Sequence, residues 1–338
     1  MPLLPSGRKC AKLTQQAKRN NQVITFINNQ SINQTMNNQK KTANSEAEFK
    51  QLRAKTIGSS EIGTIMGVNP FQTPYDLWLR KTGRETFEGN EATRRGQLLE
   101  PVVAQMFVDK TGIEIEEGGE DVTIYYAEDF MSASPDRFYL SDGQRSILEI
   151  KTTAMDVDAD NLPMSWFCQL QWQMGVIGVN KGGIAWLGNR FVFDYLEFDF
   201  DADFFNNMKE AARDFWQLVQ NDEQPSLTTT GDVLKAYPSH KDGKYIVAGE
   251  SIATIHKQLK GLQAEKKAID GKIDELKEQV QLVMNDAEAV LENEKPIFTW
   301  KKAKDRVSLD AKTLKAEMPD VFEKYSKVSQ GSRTFLIK

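Results

Sequence analysis

An aspartate and a glutamate in one short stretch of the chain could together hold a metal ion, with a lysine beside it. Asp136 comes first, and the triplet Glu149-Ile150-Lys151 follows. Carboxylate oxygens are the ligands that Mg²⁺ prefers, and an ammonium group beside them can stabilise developing negative charge. The same pattern also occurs on solvated strand faces, so the elements that carry these residues must decide between the two interpretations.

The stretch is predicted to form a β-hairpin that turns at Ser141-Asp142-Gly143. Its strands cover residues 138–140 and 147–151. Successive residues of a strand face opposite sides, so Glu149 and Lys151 share one face while the apolar residues beside them point into a core. The turn brings the aspartate back towards the glutamate, and the three groups are expected to meet at one edge of a sheet.

The composition excludes several classes of protein. The chain has 338 residues, a formal net charge of −5 and two cysteines, Cys10 and Cys168. Two cysteines cannot by themselves make a disulfide framework, a zinc site or an iron–sulfur cluster. No apolar run approaches the ~20 residues that span a bilayer. We therefore expect no leader, no membrane partner and a cytoplasmic, reducing location.

Composition and periodicity divide the chain into five expected segments. These are a disordered Asn/Gln-rich N-terminus over 1–45, a core over 46–224, a linker over 225–249, a coiled-coil helix over 250–285 and a small α+β tail over 286–338. A second hypothesis for the N-terminus takes Met36 as the true start of the protein.

The coiled-coil prediction rests on a heptad pattern. From Ile252 to Val283 apolar residues recur at alternating steps of three and four, and Lys266 alone interrupts them. Such a helix would be about 50 Å long. Its apolar stripe needs a partner, in the same chain or another.

The tail is basic although the whole chain is acidic. From Lys295 onward it has eleven lysines and arginines against five acidic residues. It is a candidate contact for DNA or an acidic partner, or an ordinary solvated surface.

The remaining expected elements follow from caps and periodicity. The expected helices cover 45–52, 102–111, 161–178 and 204–221, with others that begin at Ser59 or Ser60 and at Pro74 and a short one near Val233. The expected strands cover 114–117, 122–126, 184–187 and 191–198. The tail is expected to contain a hairpin over 287–302, helices over 311–317 and 321–327 and a strand over 334–337.

Five short motifs line up in one order along the core. They are Arg53 with Ser60-Glu61, Gly96-x-x-x-Glu100-Pro101, Ser134-Pro135-Asp136, Glu149-Ile150-Lys151 and Gln169-x-Gln171. Their order and spacing resemble the YqaJ viral recombinase and lambda exonuclease family, a branch of the PD-(D/E)XK nucleases, over roughly residues 50–220. The resemblance implies an α/β fold with a restriction-endonuclease-like core, in which helices flank a mixed central sheet. The coiled-coil arm and the tail resemble the extension of the YqaJ-type members.

The resemblance also implies a metal centre for Mg²⁺, with Mn²⁺ as an alternative. Asp136 and Glu149 would bind the ion directly, with the Ile150 carbonyl as a further ligand. Glu100 would contribute directly or through water, and Lys151 would position or deprotonate the attacking water. These roles agree with what phosphodiester cleavage needs, which is a nucleophile at neutral pH and cancellation of charge on the phosphorus centre.

The other motif residues are assigned by the same resemblance. Arg53, Ser60 and Ser134 would hold the terminal 5′-phosphate or the scissile phosphate. Gln169 and Gln171, on the helix beside the active site, are candidate phosphate- or DNA-binding residues with them. From the residues alone, Ser60 is equally well explained as a helix cap.

One departure from the family pattern concerns an acidic residue that lambda exonuclease has about ten positions before this aspartate. In this chain that position is Tyr126. The nearby acidic residues Glu128 and Asp129 could take the place of the missing family carboxylate.

The implied activity is a deoxyribonuclease of a phage or prophage recombination system. It would digest linear double-stranded DNA from 5′ ends and leave 3′ single strands for an annealing protein of the RecT type. A trimeric ring is implied for the oligomer, and the heptad arm could instead mediate dimerisation or dock the annealing protein. The alternatives are a structure-specific or nicking endonuclease on the same core, and a DNA-binding or scaffold protein without catalysis.

Overall fold

The computed structural model of the chain describes residues 39–43, 45–86, 89–116, 122–329 and 331–338. The described residues fall into two compact units that divide between Val233 and Leu234. Most of the Asn/Gln-rich segment, with Met36, lies outside the described residues.

Strands of the first unit form two sheets of four strands each. The strands are β1 (Gln39–Ala43), β2 (Ile57–Gly58), β3 (Val122–Tyr126), β4 (Met131–Ala133), β5 (Arg137–Ser141), β6 (Gln144–Thr152), β7 (Lys181–Leu187) and β8 (Phe193–Asp199). One sheet has the order β1-β3-β4-β2 and the other β5-β6-β7-β8. In the second sheet β6 and β7 pair in parallel while the outer pairs are antiparallel, so the sheet is mixed.

Helices cover both faces of the mixed sheet. Those of the first unit are α1 (Glu46–Ala54), α2 (Ser59–Ile65), α3 (Pro74–Lys81), α4 (Glu91–Thr111), α5 (Met164–Ile177) and α6 (Ala202–Gln220), and α7 (Thr230–Ala236) begins in this unit and ends past its last residue. Phe107 of α4 packs with Leu148 on one face. Leu170 of α5 packs with Ile147 on the other. The expected mixed sheet flanked by helices is therefore confirmed.

The predicted hairpin is confirmed as β5 and β6. Its turn consists of Asp142 and Gly143 alone, with φ of 52° and 75°. Two consecutive residues of positive φ match the right-handed twist of the strands that they join. Ser141, which was expected in the turn, instead pairs with Gln144 at the ends of the two strands.

Helix α4 is about twice as long as expected and contains Pro101. The expected start of this helix at residue 102 is therefore wrong. The helix starts where the Asn90 side chain accepts a hydrogen bond from the Thr93 amide. Proline in a helix interior removes one hydrogen bond and strains the turn before it, and burial of the following turn, including Phe107, offsets this cost.

Two expectations near the N-terminus are wrong. Residues 39–43 were expected to be disordered, but they form β1 and pair with β3 over its whole length. Helix α2 is capped by Gly58 and not by Ser59 or Ser60, because the Glu61 carboxylate accepts the Gly58 amide at 2.8 Å.

The core extends past the expected boundary at residue 224. The buried side chain of Asp232 accepts hydrogen bonds from the Thr73 hydroxyl at 2.8 Å and from the Thr228 and Thr229 amides at 2.8 and 3.0 Å. These bonds tie the segment to Thr73, and the first unit extends to Val233.

The second unit contains one long helix and a small hairpin. Its elements are α8 (Glu250–Met284), β9 (Ala289–Glu292), β10 (Lys295–Thr299), α9 (Ala311–Glu317) and α10 (Pro319–Tyr325). These agree with the expected helix, hairpin and two short helices. The strand expected over 334–337 does not form. None of the described helices combines the length and the apolar character needed to cross a membrane.

Gly175 allows α5 and α6 to approach each other closely, since a β carbon there would overlap the ring of Phe205. Gly175→Ala is therefore expected to lower the free energy of unfolding by about 1–3 kcal/mol. Urea denaturation followed by tryptophan fluorescence measures this. Gly96→Ala in α4 is the matched control, because a β carbon added there would lie 3.8 Å from its nearest neighbour, Thr152 Oγ1, which is an ordinary contact distance. Equal stability of the Gly175→Ala protein and the unmodified protein would contradict the packing argument.

Candidate active site

Strand β6 presents two charged residues towards α5. Glu149 and Lys151 lie on the same face of the strand, and the Glu149 side chain is only 1% exposed. Leu148 and Ile150 lie on the opposite face, in the core with Phe107. The predicted alternation along the strand is confirmed.

Asp136 lies directly before β5 and reaches across to β6. Its Oδ2 accepts a hydrogen bond from the Ile150 amide at 2.7 Å. Because Ile150 stands between Glu149 and Lys151, this bond holds the aspartate beside both. All three side chains line one cleft of about 620 Å³. The structure thus brings the predicted trio together.

Three side chains donate hydrogen bonds to the buried carboxylate of Glu149. Lys151 Nζ and Gln169 Nε2 each lie 2.5 Å from Oε1, and Gln173 Nε2 lies 2.7 Å from Oε2. The Lys151 ammonium also donates to Gln169 Oε1 at 3.0 Å. A carboxylate can be buried without protonation only when such donors replace its water. The arrangement therefore fixes Glu149 in one orientation.

Gln173 was not predicted as a site residue. Its amide is fully buried, and its Oε1 has no hydrogen-bond partner among the described atoms. The helical spacing placed Gln173 on the same face as Gln169, and that spacing was the available signal. Which buried group this face would meet was not visible in the sequence.

Burial and the neighbouring carboxylates determine how readily Asp136 ionises. Burial raises the pKa of Asp136 well above its usual value, and the nearby carboxylates of Glu149 and Glu100 raise it further. Burial lowers the pKa of Lys151, but its attraction to the same carboxylates outweighs this effect and leaves the pKa raised. A cation bound among these oxygens would lower the cost of ionising Asp136.

Glu100 of α4 also lines the cleft but is paired with an arginine. Its Oε1 lies 2.6 Å from Arg137 Nη1, and the same nitrogen donates to the Asp136 carbonyl at 2.6 Å. Within the described parts of the chain, no three acidic, histidine or cysteine side chains are grouped as a metal site. The oxygens of Asp136, Glu149 and Glu100 fit Mg²⁺ in kind and charge. The predicted ligand set, with the Ile150 carbonyl, stays a prediction.

The predicted phosphate-binding residues lie in the same cleft. Arg53 Nη2 donates to Ser60 Oγ at 2.8 Å, and the Ser134 hydroxyl donates to the Thr123 carbonyl at 3.1 Å. All of these predicted side chains line the cleft. The Arg53 side chain is 28% exposed and so remains open to an incoming anion.

Gln171 is not brought to the cleft, unlike Gln169. Its Nε2 donates to the Asp199 carbonyl at 2.9 Å, and its Oε1 accepts from the Asp201 amide at 2.8 Å. These bonds join α5 to the segment after β8. The predicted contact of Gln171 with DNA is therefore not supported by its position.

Neither acidic neighbour of Tyr126 replaces the missing family carboxylate. Glu128 is paired with Lys209 and Arg213, each at 3.3 Å. Asp129 is exposed. Neither residue lines the cleft.

Comparisons with known proteins identify relatives over most of the chain. Residues 48–180 match the family model described as YqaJ-like viral recombinase domain. The uncharacterized protein YqaJ of Bacillus subtilis (strain 168) is 30% identical over 305 residues, which cover 83% of this chain and 91% of that protein.

Solved structures resemble about half of the chain. An alkaline exonuclease, LHK-Exo, from Laribacter hongkongensis is 18% identical with a TM-score of 0.43, covering 52% of this chain and 94% of that one. A phage-related exonuclease from Haemophilus somnus 129PT is 13% identical with a TM-score of 0.37, covering 52% and 99%.

Asp136→Asn is expected to stabilise the metal-free protein at neutral pH. The pKa of Asp136 is higher in the folded than in the unfolded chain, so the free energy of unfolding falls as pH rises between the two values. The gain from Asn should grow across that window and be lost in acid, below the unfolded pKa. Unfolding by urea in EDTA at a series of pH values measures it. Asp129→Asn, at an exposed carboxylate, is the control, and an equal gain in both variants would contradict the explanation.

Proposed function

The chain belongs to the YqaJ-like viral recombinase family, and on that premise we propose that it is a metal-dependent deoxyribonuclease. We propose further that it is a 5′-to-3′ exonuclease that resects linear double-stranded DNA and leaves 3′ single strands. The observation that carries the proposal is the meeting of Asp136, Glu149 and Lys151 in one cleft. Cation-binding oxygens beside an ammonium group are what cleavage of a phosphodiester requires.

Asp136 and Glu149 would hold the Mg²⁺ ion, or Mn²⁺ in its place, with the Ile150 carbonyl and Glu100 as further ligands. Glu100 would exchange its bond with Arg137 for this role. When bound, the ion supplies charge that lowers the pKa of a bound water and stabilises the pentacovalent phosphorus.

Lys151 would position the attacking water and stabilise the phosphate oxygens. Its raised pKa keeps it protonated at neutral pH, which favours hydrogen-bond donation over removal of a proton from the water. Its ammonium already contacts the buried Glu149, and the Lys151 side chain is 21% exposed.

Gln169 and Gln173 would keep Glu149 in place during this chemistry. If the lysine turns from Glu149 towards a phosphate, the two amides still donate to both carboxylate oxygens. The glutamate then keeps its orientation without the ammonium, and a fixed ligand geometry costs no reorganisation at the moment of reaction.

Arg53, Ser60 and Ser134 would receive the phosphate at the end of the substrate strand. A guanidinium group binds phosphate oxygens through two parallel hydrogen bonds, and hydroxyl groups add further donors. Their position in the same cleft as the acids supports this role.

The partners of such an enzyme follow from its product. A 3′ single strand is the substrate of an annealing protein, so we propose a single-strand annealing protein of the RecT type as the partner. The trimeric ring implied by the family resemblance stays a prediction.

Removing any of the three central side chains should lower the rate of cleavage by orders of magnitude. Asp136→Ala and Glu149→Ala should each lower the rate by about 10³-fold or more, and Lys151→Ala by about 10²–10³-fold with DNA binding retained. The measurement is degradation of linear duplex DNA with Mg²⁺ or Mn²⁺, together with binding in EDTA. Asp129→Ala is the control. A rate equal to that of the unmodified protein in any of the three variants would overturn the site.

End-labelled duplexes test the proposed polarity. Label at the 5′ end should be released first, a 5′-phosphate should be cut faster than a 5′-hydroxyl, and Arg53→Ala should reduce that preference. Covalently closed plasmid should remain intact because it has no ends. Cleavage of the plasmid would instead indicate an endonuclease, and no cleavage of any DNA with either metal would leave a binding or scaffold role.

A further inference from the structure

Helix α8 exposes an apolar stripe along its whole length. Between 43% and 61% of the surface is exposed for six of its residues: Ile252, Ile255, Leu262, Ile269, Ile273 and Leu276. The chain end comes close at one point, where the Lys338 carbonyl lies 3.0 Å from the His256 ring, yet Phe335 is itself 86% exposed. In the described part of the chain no element covers the stripe. A soluble helix with such a stripe gains free energy by burying it.

The charged residues of the helix decide what can cover it. In the heptad, Lys266 is the one charged residue at a core a position. Its ammonium turns to the edge of the stripe and donates to Asp270 Oδ2 at 2.6 Å, which leaves its methylene groups along the stripe. Glu265 and Lys272 stand at the flanking g positions, and Asp270 and Lys277 at the flanking e positions.

A parallel pair of these helices would place like charges together. In a parallel coiled coil each a residue faces its own copy, and each g residue faces the next e residue of the other helix. Lys266 would then face Lys266. Glu265 would face Asp270, and Lys272 would face Lys277. Each of these contacts is repulsive.

An antiparallel pair removes every one of these repulsions. In this arrangement a faces d, g faces g and e faces e. With Lys266 opposite Ile269 of the second copy, Leu259 meets Leu276, and Ile273 meets Leu262. Glu265 meets Lys272, and the two-fold symmetry of the pair makes this contact twice.

The register is specified by the same charges. A shift by one heptad in one direction brings Glu265 opposite Glu265. A shift in the other direction brings Lys272 opposite Lys272 and Asp270 opposite Asp270. Only the central register joins opposite charges and also overlaps the full apolar stripe.

We propose that α8 pairs in antiparallel orientation with α8 of a second copy of this chain, in the register that places Lys266 opposite Ile269. The second copy is the occupant because the stripe and its flanking charges complement themselves in this register. The pairing is independent of the nuclease proposal and joins two copies through the second unit.

Charge reversal tests the pairing in the full-length protein. Glu265→Lys or Lys272→Glu alone should weaken self-association by about tenfold or more, because two attractive contacts become repulsive. The double variant Glu265→Lys/Lys272→Glu should restore it. Sedimentation velocity over a range of concentrations measures the association. Lys257→Glu, which lies on the outer face of the helix, is the matched control and should have no effect. Failure of the double variant to recover association would overturn the register.

Disulfide trapping tests the orientation without relying on affinity. In a Cys10→Ser background, Lys266→Cys and Ile269→Cys proteins should form a disulfide-linked dimer when mixed and oxidised, and neither should do so alone. Lys257→Cys mixed with either protein is the control and should remain monomeric on a denaturing gel. Cross-linking of Lys266→Cys with itself would show a parallel pair. No cross-link in any mixture would show that α8 does not pair in this way, and either result would overturn the proposal.

Discussion

The site depends on one buried carboxylate. Glu149 lies between a sheet and a helix, where an ionised acid is stable only if donors replace the water that it has lost. Those donors come from two elements, Lys151 from its own strand and two glutamines from α5. Because both glutamines must reach the same carboxylate, the position of α5 over the sheet is fixed to within hydrogen-bonding distance. The helix therefore both packs the core and orients the acid.

The second acid shows what this arrangement costs. Asp136 is buried near two other carboxylates, and its raised pKa means that the folded chain opposes its ionisation. A fold selected for stability alone would not bury two acids beside one ammonium group. Such a cluster is typical of functional sites, where charge is held ready for a ligand that completes it. The first unit thus carries local instability at its cleft, which the apolar cores on the two faces of the mixed sheet offset.

The elements predicted correctly were those with local signals. The hairpin was predicted from the turn residues Asp142-Gly143 and from the alternation of apolar and charged residues after them. Its register places Asp136 beside Glu149 and Lys151, as predicted. Helix α4 was predicted too short because a proline at 101 is usually a boundary, and only the tertiary burial of its second half shows otherwise. Gln173 could not be assigned because its role depends on which residue lies across the interface, which is a long-range contact. Gln171 was assigned by motif, yet its own side chain faces the segment after β8 and not the cleft.

Pro101 also affects how the wall of the cleft can move. Proline has no N–H, so the carbonyl of Gln97 receives no bond from the position four residues later. Helices bend most easily at such a point. Here it adjoins Glu100, the acid that would have to leave Arg137 to reach the proposed ion. The missing hydrogen bond would thus let the turn around Glu100 adjust while Phe107 keeps the C-terminal half of α4 in the core.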